Sequence, residues 1–344
     1  MRKNKLTKLM AGVLSAAVVL SGSALMGTAT AANAAEVKSL DVTFSVYDAG
    51  YVMTPTTLTV SADLDDNYVA QVGCSDDTDT PTVLDAVIAA HIKLYGEKFY
   101  ETHPFTAPGG WTTAAFGKTS SLGYYVNSTS VDMMNNVELS ANDKVEFFFY
   151  QDTNLWSDVY MTFDKSTVST TVGSSTTLNL KAVSGYDSNY NLVFANASNV
   201  AVTSNGTKVG TTDSSGNIKL TFSKAGTYVI SLASTTTYNG SPIIAPYCKV
   251  TVTKNAQTIT KKSPTKVKKY KYSKTKKRTF KIKVKNAKTT LVYKSSSKNI
   301  TVNKNGKVTI KKGTKKGTYK IKVYAKATTK YKKSNVLTFK IKIK

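Results

Sequence analysis

The chain has 344 residues, 47 lysines and arginines against 21 aspartates and glutamates, a formal net charge of +26 and 41% hydrophobic residues. That apolar fraction supports folded cores and excludes a wholly disordered chain, while two cysteines exclude a disulfide scaffold. Two histidines, no His/Cys cluster at zinc spacing and no nucleophile elbow around any serine leave no recognisable catalytic centre, and the sequence reads as a non-enzyme.

Residues 1–34 carry Arg2, Lys3, Lys5 and Lys8, then an apolar run, then Ala32-Asn33-Ala34. This is the order of a secretory signal, with cleavage expected after Ala34. Ser15, Ser21, Gly22 and Ser23 break the run short of the ~20 residues a spanning helix needs, so no transmembrane segment is expected in the mature chain. The C-terminal FKIKIK offers no apolar tail for covalent wall attachment. The expectation is a secreted protein, associated noncovalently with the cell wall or surface.

Leu40, Val42, Phe44 and Val46 alternate with polar residues, and Leu58 and Val60 repeat the pattern after Pro55, which predicts two strands. A helix follows, with Thr80 as cap, Pro81 at its first position and Gly96 as its stop; Val83, Leu84, Val87, Ile88, His91 and Tyr95 form its apolar stripe. GYYVN at 123–127, VEFFFY at 145–150 and VYMTF at 159–163 are the next strands.

Strand, strand, helix, strands is a β-grasp order. TVLDAVIAA, GYYVN and LSANDKVEFFFY resemble the transcobalamin C-terminal-like β-grasp domains of secreted bacterial proteins, over residues 37–165. Asn142-Asp143 replaces the usual Gly-Asp turn of that family. The resemblance implies a corrinoid as one candidate ligand, although the helical barrel that covers its other face in transcobalamin has no counterpart here.

Residues 166–253 are rich in Ser, Thr, Asn and Gly, with short alternating strands and turns at Asn205-Gly206 and Asp213 to Gly216, the rhythm of a β-sandwich. TTDSSGNIKLTFSKAGTYVISL resembles bacterial Ig-like repeats, including those of Gram-positive surface stalks. Cys248 alternates with Val250 and Val252, so it is expected in a strand core, separate from Cys74 rather than bridged to it.

Residues 254–344 hold 32 of the 47 basic residues and no aspartate or glutamate. Phe280, Ile282 and Val284 alternate with Lys281, Lys283 and Lys285; Tyr319, Ile321 and Val323 with Lys320 and Lys322; Phe339, Ile341 and Ile343 with Lys340 and Lys342. The pleat puts the apolar set inside and the lysines outside. LVYKSSSKNITVNKNGKVTIKKGTKKGTYKIKVYA resembles the group 2 bacterial Ig-like domain. The fold expected for the whole is mainly β: an N-terminal β-grasp (α+β) domain followed by two Ig-like β-sandwiches.

Two candidate sites follow. Lys281, Lys283, Lys285, Lys320, Lys322, Lys340 and Lys342 are candidates for polyanion binding, and in an exported protein the nearest polyanions are wall polymers such as teichoic acid, not nucleic acid. The competing reading is a solvated face that prevents edge-to-edge aggregation. Tyr100, His103, Phe105, Trp111, Phe116, Tyr124 and Tyr125 are candidates for a glycan, protein or small-molecule site, shaped by Pro104, Pro108, Gly109 and Gly110. These rings equally suit closure of the domain core. No metal is expected, and no cofactor beyond the corrinoid the resemblance admits; the acidic runs at Asp63, Asp65, Asp66 and at Asp76, Asp77, Asp79 read as solvated loops. The function expected is a non-enzymatic envelope-associated binding or adhesion protein, with a corrinoid carrier and a structural stalk as alternatives.

Overall fold

In the computed structural model, which describes residues 38–119, 121–189 and 191–344, the alternation from Leu40 becomes strand β1 (Ser39–Tyr47), paired antiparallel with β2 (Tyr51–Ser61). The leader expected at 1–34 lies outside the described residues. β2 is the outer strand, and Pro55 falls at a register shift between Phe44 and Val46 of its partner, where a missing N–H is harmless.

A one-turn helix α1 (Val69–Val72) precedes α2 (Val83–Tyr95). The cap of α2 is Thr82, not Thr80, and Pro81 stands before it: Asp85 returns its carboxylate to the Thr82 N–H at 3.0 Å, a reciprocal box that outcompetes the proline start. Gly96 ends the helix as expected. Strands β3 (Leu122–Val126), β4 (Thr129–Ser130) and β5 (Lys144–Phe149) complete a sheet of order β2-β1-β5-β3-β4, in which β1 and β5 run parallel and the other neighbours antiparallel. Asn142 takes φ 73° in the turn before β5, a conformation asparagine tolerates in place of glycine.

Both faces of this sheet are covered. Phe44, Phe147 and Phe149 pack under Leu84 and Ile88 of α2, whereas Tyr47, Tyr125 and Phe148 enter the core of the next domain. Burial on both sides is why β5 reads as an unbroken apolar run rather than an alternation.

VYMTF departs from its expected grouping with residues 37–165. Strand Val159–Phe163 pairs antiparallel with Ser175–Tyr186 and parallel with Ser241–Ile244, because Tyr160, Met161 and Phe163 bury against Leu178, Leu180 and Ile230. It belongs to a sheet facing a second one, ordered Thr207–Thr211, Ala201–Ser204, Gly226–Ser231, Cys248–Thr253, Thr167–Thr171. Asn205 (φ 48°) and Gly206 (φ 78°) make the tight turn between two of these strands, where both central residues need positive φ. Tyr51 Oη donates to the Ala245 carbonyl at 2.8 Å and Tyr160 Oη to the Glu146 carboxylate, which ties the sandwich to the first sheet. Cys74 and Cys248 are free and lie in separate cores.

The basic segment is folded around Ile282, Ile300, Val308, Ile321, Val323 and Ile341. A four-stranded sheet runs Lys268–Tyr270, Leu337–Ile343, Gly317–Ala325, Leu291–Ser295, and a three-stranded one runs Arg278–Lys281, Lys307–Ile310, Ile300–Val302. At the junction Asn255 Nδ2 donates to the Val172 carbonyl of the preceding sandwich at 2.7 Å, and its backbone N–H donates to Lys330 O at 2.9 Å. The protein is mainly β, and among the described residues no helix is long and apolar enough to cross a membrane.

Candidate functional site

The aromatic loop after α2 divides its rings between two duties. Phe105 and Phe116 are buried, stacked on the His91 ring at centroid distances of 5.2 and 3.9 Å, so they close the core and offer no ligand surface. His91 is held as a neutral ring: Nδ1–H donates to Val87 O at 2.8 Å, and Nε2 accepts the Phe116 N–H at 2.8 Å. Burial pushes its pKa down to about 4. Tyr100 packs against Tyr68 and Phe99. His103 stacks face to face on Tyr95 at 3.8 Å and bonds only its neighbour Thr102 among the described residues.

Trp111, Tyr124 and Tyr125 are different: they line a cleft of about 690 Å³ over β3. Trp111 is 69% exposed. Tyr124 Oη donates to Asp132 O, Tyr125 packs at a tilt on Phe148 and Tyr160, and burial raises the pKa of each. Gly123 has no room for a side chain, since a Cβ there would stand 2.6 Å from the Phe148 ring; its absence lets Phe148 and Tyr150 lie against the β3 backbone as the cleft floor.

Four rings of the cleft lie outside the expected set: Phe148, Tyr150, Trp156 and Tyr186. Trp156 sits in the loop 151–158 with φ 52°, costly for a bulky side chain. Two aspartates hold that loop. Asp158 accepts the N–H groups of Gln151 (2.5 Å) and Asp152 (2.9 Å). Asp152 accepts those of Asn154 and Leu155 (both 3.1 Å) and the Ser157 hydroxyl (2.7 Å), which draws its pKa down, the Ser157 bond most. The outcome is an indole 62% exposed beside Tyr150, with Tyr186 contributed by strand Ser175–Tyr186 of the first sandwich at 59% exposure. A signal was present, for QDTNLWSD has no apolar periodicity in which to bury its tryptophan.

The acidic runs are not both solvated. One member of each, Asp65 and Asp76, converges with Asp85 so that a carboxylate oxygen of each lies within 4.8 Å of the others. Their hydrogen bonds explain the burial: Asp85 accepts Asp65 N–H at 3.0 Å, Asp65 accepts Asp76 N–H at 2.7 Å, and Asp76 accepts the Thr82 hydroxyl at 2.9 Å. The trio staples loop 62–82 to the start of α2. Burial, reinforced by the neighbouring carboxylates, raises all three, Asp85 to about 7.

In the basic domain Lys320, Lys322, Lys340 and Lys342 share the outer face of the four-stranded sheet, while Lys281, Lys283 and Lys285 are exposed on other strands. The sheet register adds Lys269 and Lys294. It sets Lys320 opposite Lys340, Lys294 opposite Lys322 and Lys269 opposite Lys342. Like charges directly across a ladder repel. The ion pairs among the described residues all lie between Asp48 and Lys165, so no carboxylate relieves this face.

No protein-family model matches the chain, and no curated protein matches it. It is similar to several solved tandem β-sandwiches. The titin Ig tandem domains A164-A165 are 13% identical over 54% of this chain and 96% of theirs, with a TM-score of 0.21. Sidekick-1 immunoglobulin domains 1-5 are 12% identical over 63% and 45%, at 0.25. A C-terminal 282-residue fragment of intimin, solved with the translocated intimin receptor's intimin-binding domain, is 18% identical over 52% and 62%, at 0.19. Likeness at this level assigns neither family nor partner.

Proposed function

We propose that this is a secreted, non-enzymatic binding protein of the cell envelope, retained noncovalently by its cationic C-terminal domain on anionic wall polymers such as teichoic acid. The observation that carries the reading is the lysine ladder. Three like-charge pairs face each other across one sheet with no carboxylate in the domain, an arrangement that raises folding free energy unless an anionic chain lies along it. Lysine, a hydrated point charge, gives avid and weakly selective binding whose strength falls with salt.

The remainder serves presentation. The sheet order β2-β1-β5-β3-β4 with a parallel central pair and one crossing helix supports a β-grasp reading of the N-terminal domain, and the paired sheets that follow support two Ig-like sandwiches. The cleft over β3 is the ligand surface. The test compares the full mature chain with one ending at Thr253 for binding to walls with and without teichoic acid, across a salt series. Retention is expected to require both the last domain and the polymer and to weaken as salt rises; equal binding by the shorter chain, or indifference to salt, overturns the reading.

A further inference from the structure

The chain has two tryptophans, and both line the same cleft. With Tyr186 they bring three largely exposed aromatic faces to one place, although burying a large apolar side chain is favourable by ~1.5–3 kcal/mol. Isolated exposed rings need no explanation, but a cluster around a concave site does. The electrostatics of the lining are equally selective. In a protein of net charge +26, no lysine, arginine or histidine lines the cleft, and Asp132 is its one carboxylate. Asp132 Oδ1 accepts the Met133 N–H at 2.8 Å, which orients the group and leaves Oδ2 as an acceptor. The rest of the polar lining is mainly hydroxyl, including Thr112, Ser121 and Ser130.

Flat rings, hydroxyls and one acceptor, without a cation, disfavour phosphates and carboxylates. They match a pyranose, whose axial C–H face lies on an aromatic ring while its equatorial hydroxyls reach polar side chains at the rim. The volume of about 690 Å³ falls within the ~300–1,000 Å³ of small-ligand sites, enough for a short oligosaccharide. We propose that this cleft binds a neutral oligosaccharide, with Trp111, Trp156 and Tyr186 as stacking faces and Asp132 accepting from ring hydroxyls. The proposal rests on the reading of the cleft as the ligand surface and is independent of wall retention.

Because both indoles are in the cleft, intrinsic tryptophan emission of the full mature chain reports on it directly. The experiment titrates that chain with neutral oligosaccharides of glucose, xylose, mannose and N-acetylglucosamine. Cyanocobalamin, a polyuronate and an unrelated peptide mixture are titrated in parallel by calorimetry. Expected is a saturable emission shift with at least one neutral oligosaccharide, unaffected by high salt. Binding should be about tenfold weaker in Trp111→Ala and in Trp156→Ala, and weaker in Asp132→Asn. Both indoles are exposed, so unchanged circular dichroism is expected of the two alanine variants. Sugar binding that survives both substitutions overturns the assignment to this cleft. A response to cyanocobalamin, polyuronate or peptide that Trp111→Ala weakens, with none to neutral sugars, overturns the sugar assignment and keeps the cleft as a ligand site; a polyuronate response that Trp111→Ala leaves unchanged belongs to the lysine face. The lack of any response weakened by either alanine variant overturns both.

Discussion

The cleft over β3 and the lysine face solve opposite problems, each on the strands of a β-sheet. In the cleft the exposed groups are rings of fixed orientation, held by a strained loop, a missing Cβ and short hydrogen bonds, and the only charge is a single carboxylate. On the lysine face they are long flexible cations set by register alone. Preorganised rings favour a shaped partner, and mobile like charges favour a long, repetitive one. The contrast teaches that a shaped, charge-poor surface and a repetitive cationic one are separated along this chain, and the functions proposed for them can be attacked at either end.

The largest effect is expected from the lysine face. Replacing Lys294, Lys320, Lys322, Lys340 and Lys342 with glutamine should weaken wall-polymer binding at low salt by at least ~100-fold and flatten its salt dependence, while leaving tryptophan emission unchanged. A cosedimentation series against salt checks both.

Next in size is the acid response of the first domain. Unfolded histidine takes up a proton near pH 6.5, whereas folded His91 resists until about 4, so the unfolded chain binds more protons between these values. Stability is therefore lost on acidification through that window, by ~3 kcal/mol for this group. Asp85 opposes it: its folded pKa of about 7 lies above that of the unfolded chain, so its contribution is full below about pH 4 and lost as pH rises toward 7. Asp85→Asn should shift the acid response toward loss and His91→Gln should shift it toward gain, both read from urea midpoints at pH 4, 5.5 and 7.

Smaller effects test local geometry. Thr82→Ala should cost ~1 kcal/mol and Thr80→Ala much less, since only Thr82 closes the box with Asp85. Lys320→Thr should stabilise the last domain by ~0.5 kcal/mol at low salt by relieving its repulsion with Lys340, and weaken polymer binding at the same time. If the variant is both more stable and as well retained, the ladder is only a solvated face.

How legible these two regions were in the sequence follows from their construction. Period-two alternation places every residue of a strand on a known face, so Lys320, Lys322, Lys340 and Lys342 could be set on one surface from the pattern; their partners Lys269 and Lys294 needed the register. Of the aromatic residues singled out, Trp111, Tyr124 and Tyr125 reach the cleft, and Phe105 and Phe116 do not, because composition cannot say which rings of a loop turn toward His91. Trp156 and Tyr186 come from segments distant in sequence from that loop, and only tertiary structure brings them together. VYMTF pairs outside the sheet that its place in the sequence predicts, for a related reason. An alternating strand next to a domain boundary pairs as well on either side, and the choice is made by the core that receives Tyr160, Met161 and Phe163. The same holds for Asp65 and Asp76, whose burial depends on a helix start to which their own segment gives no clue.

The acid-free composition of residues 254–344 has one more consequence. That segment contains no aspartate, glutamate, histidine or cysteine, so it holds none of the side chains that change charge between about pH 4 and pH 8. The charge of its lysine face is thus insulated from environmental acidification, while the first domain, with His91, Asp65, Asp76 and Asp85 in its interior, is the part that responds. In a medium turning acid, the proposed anchor would keep its charge while the interior of the N-terminal domain changed its own.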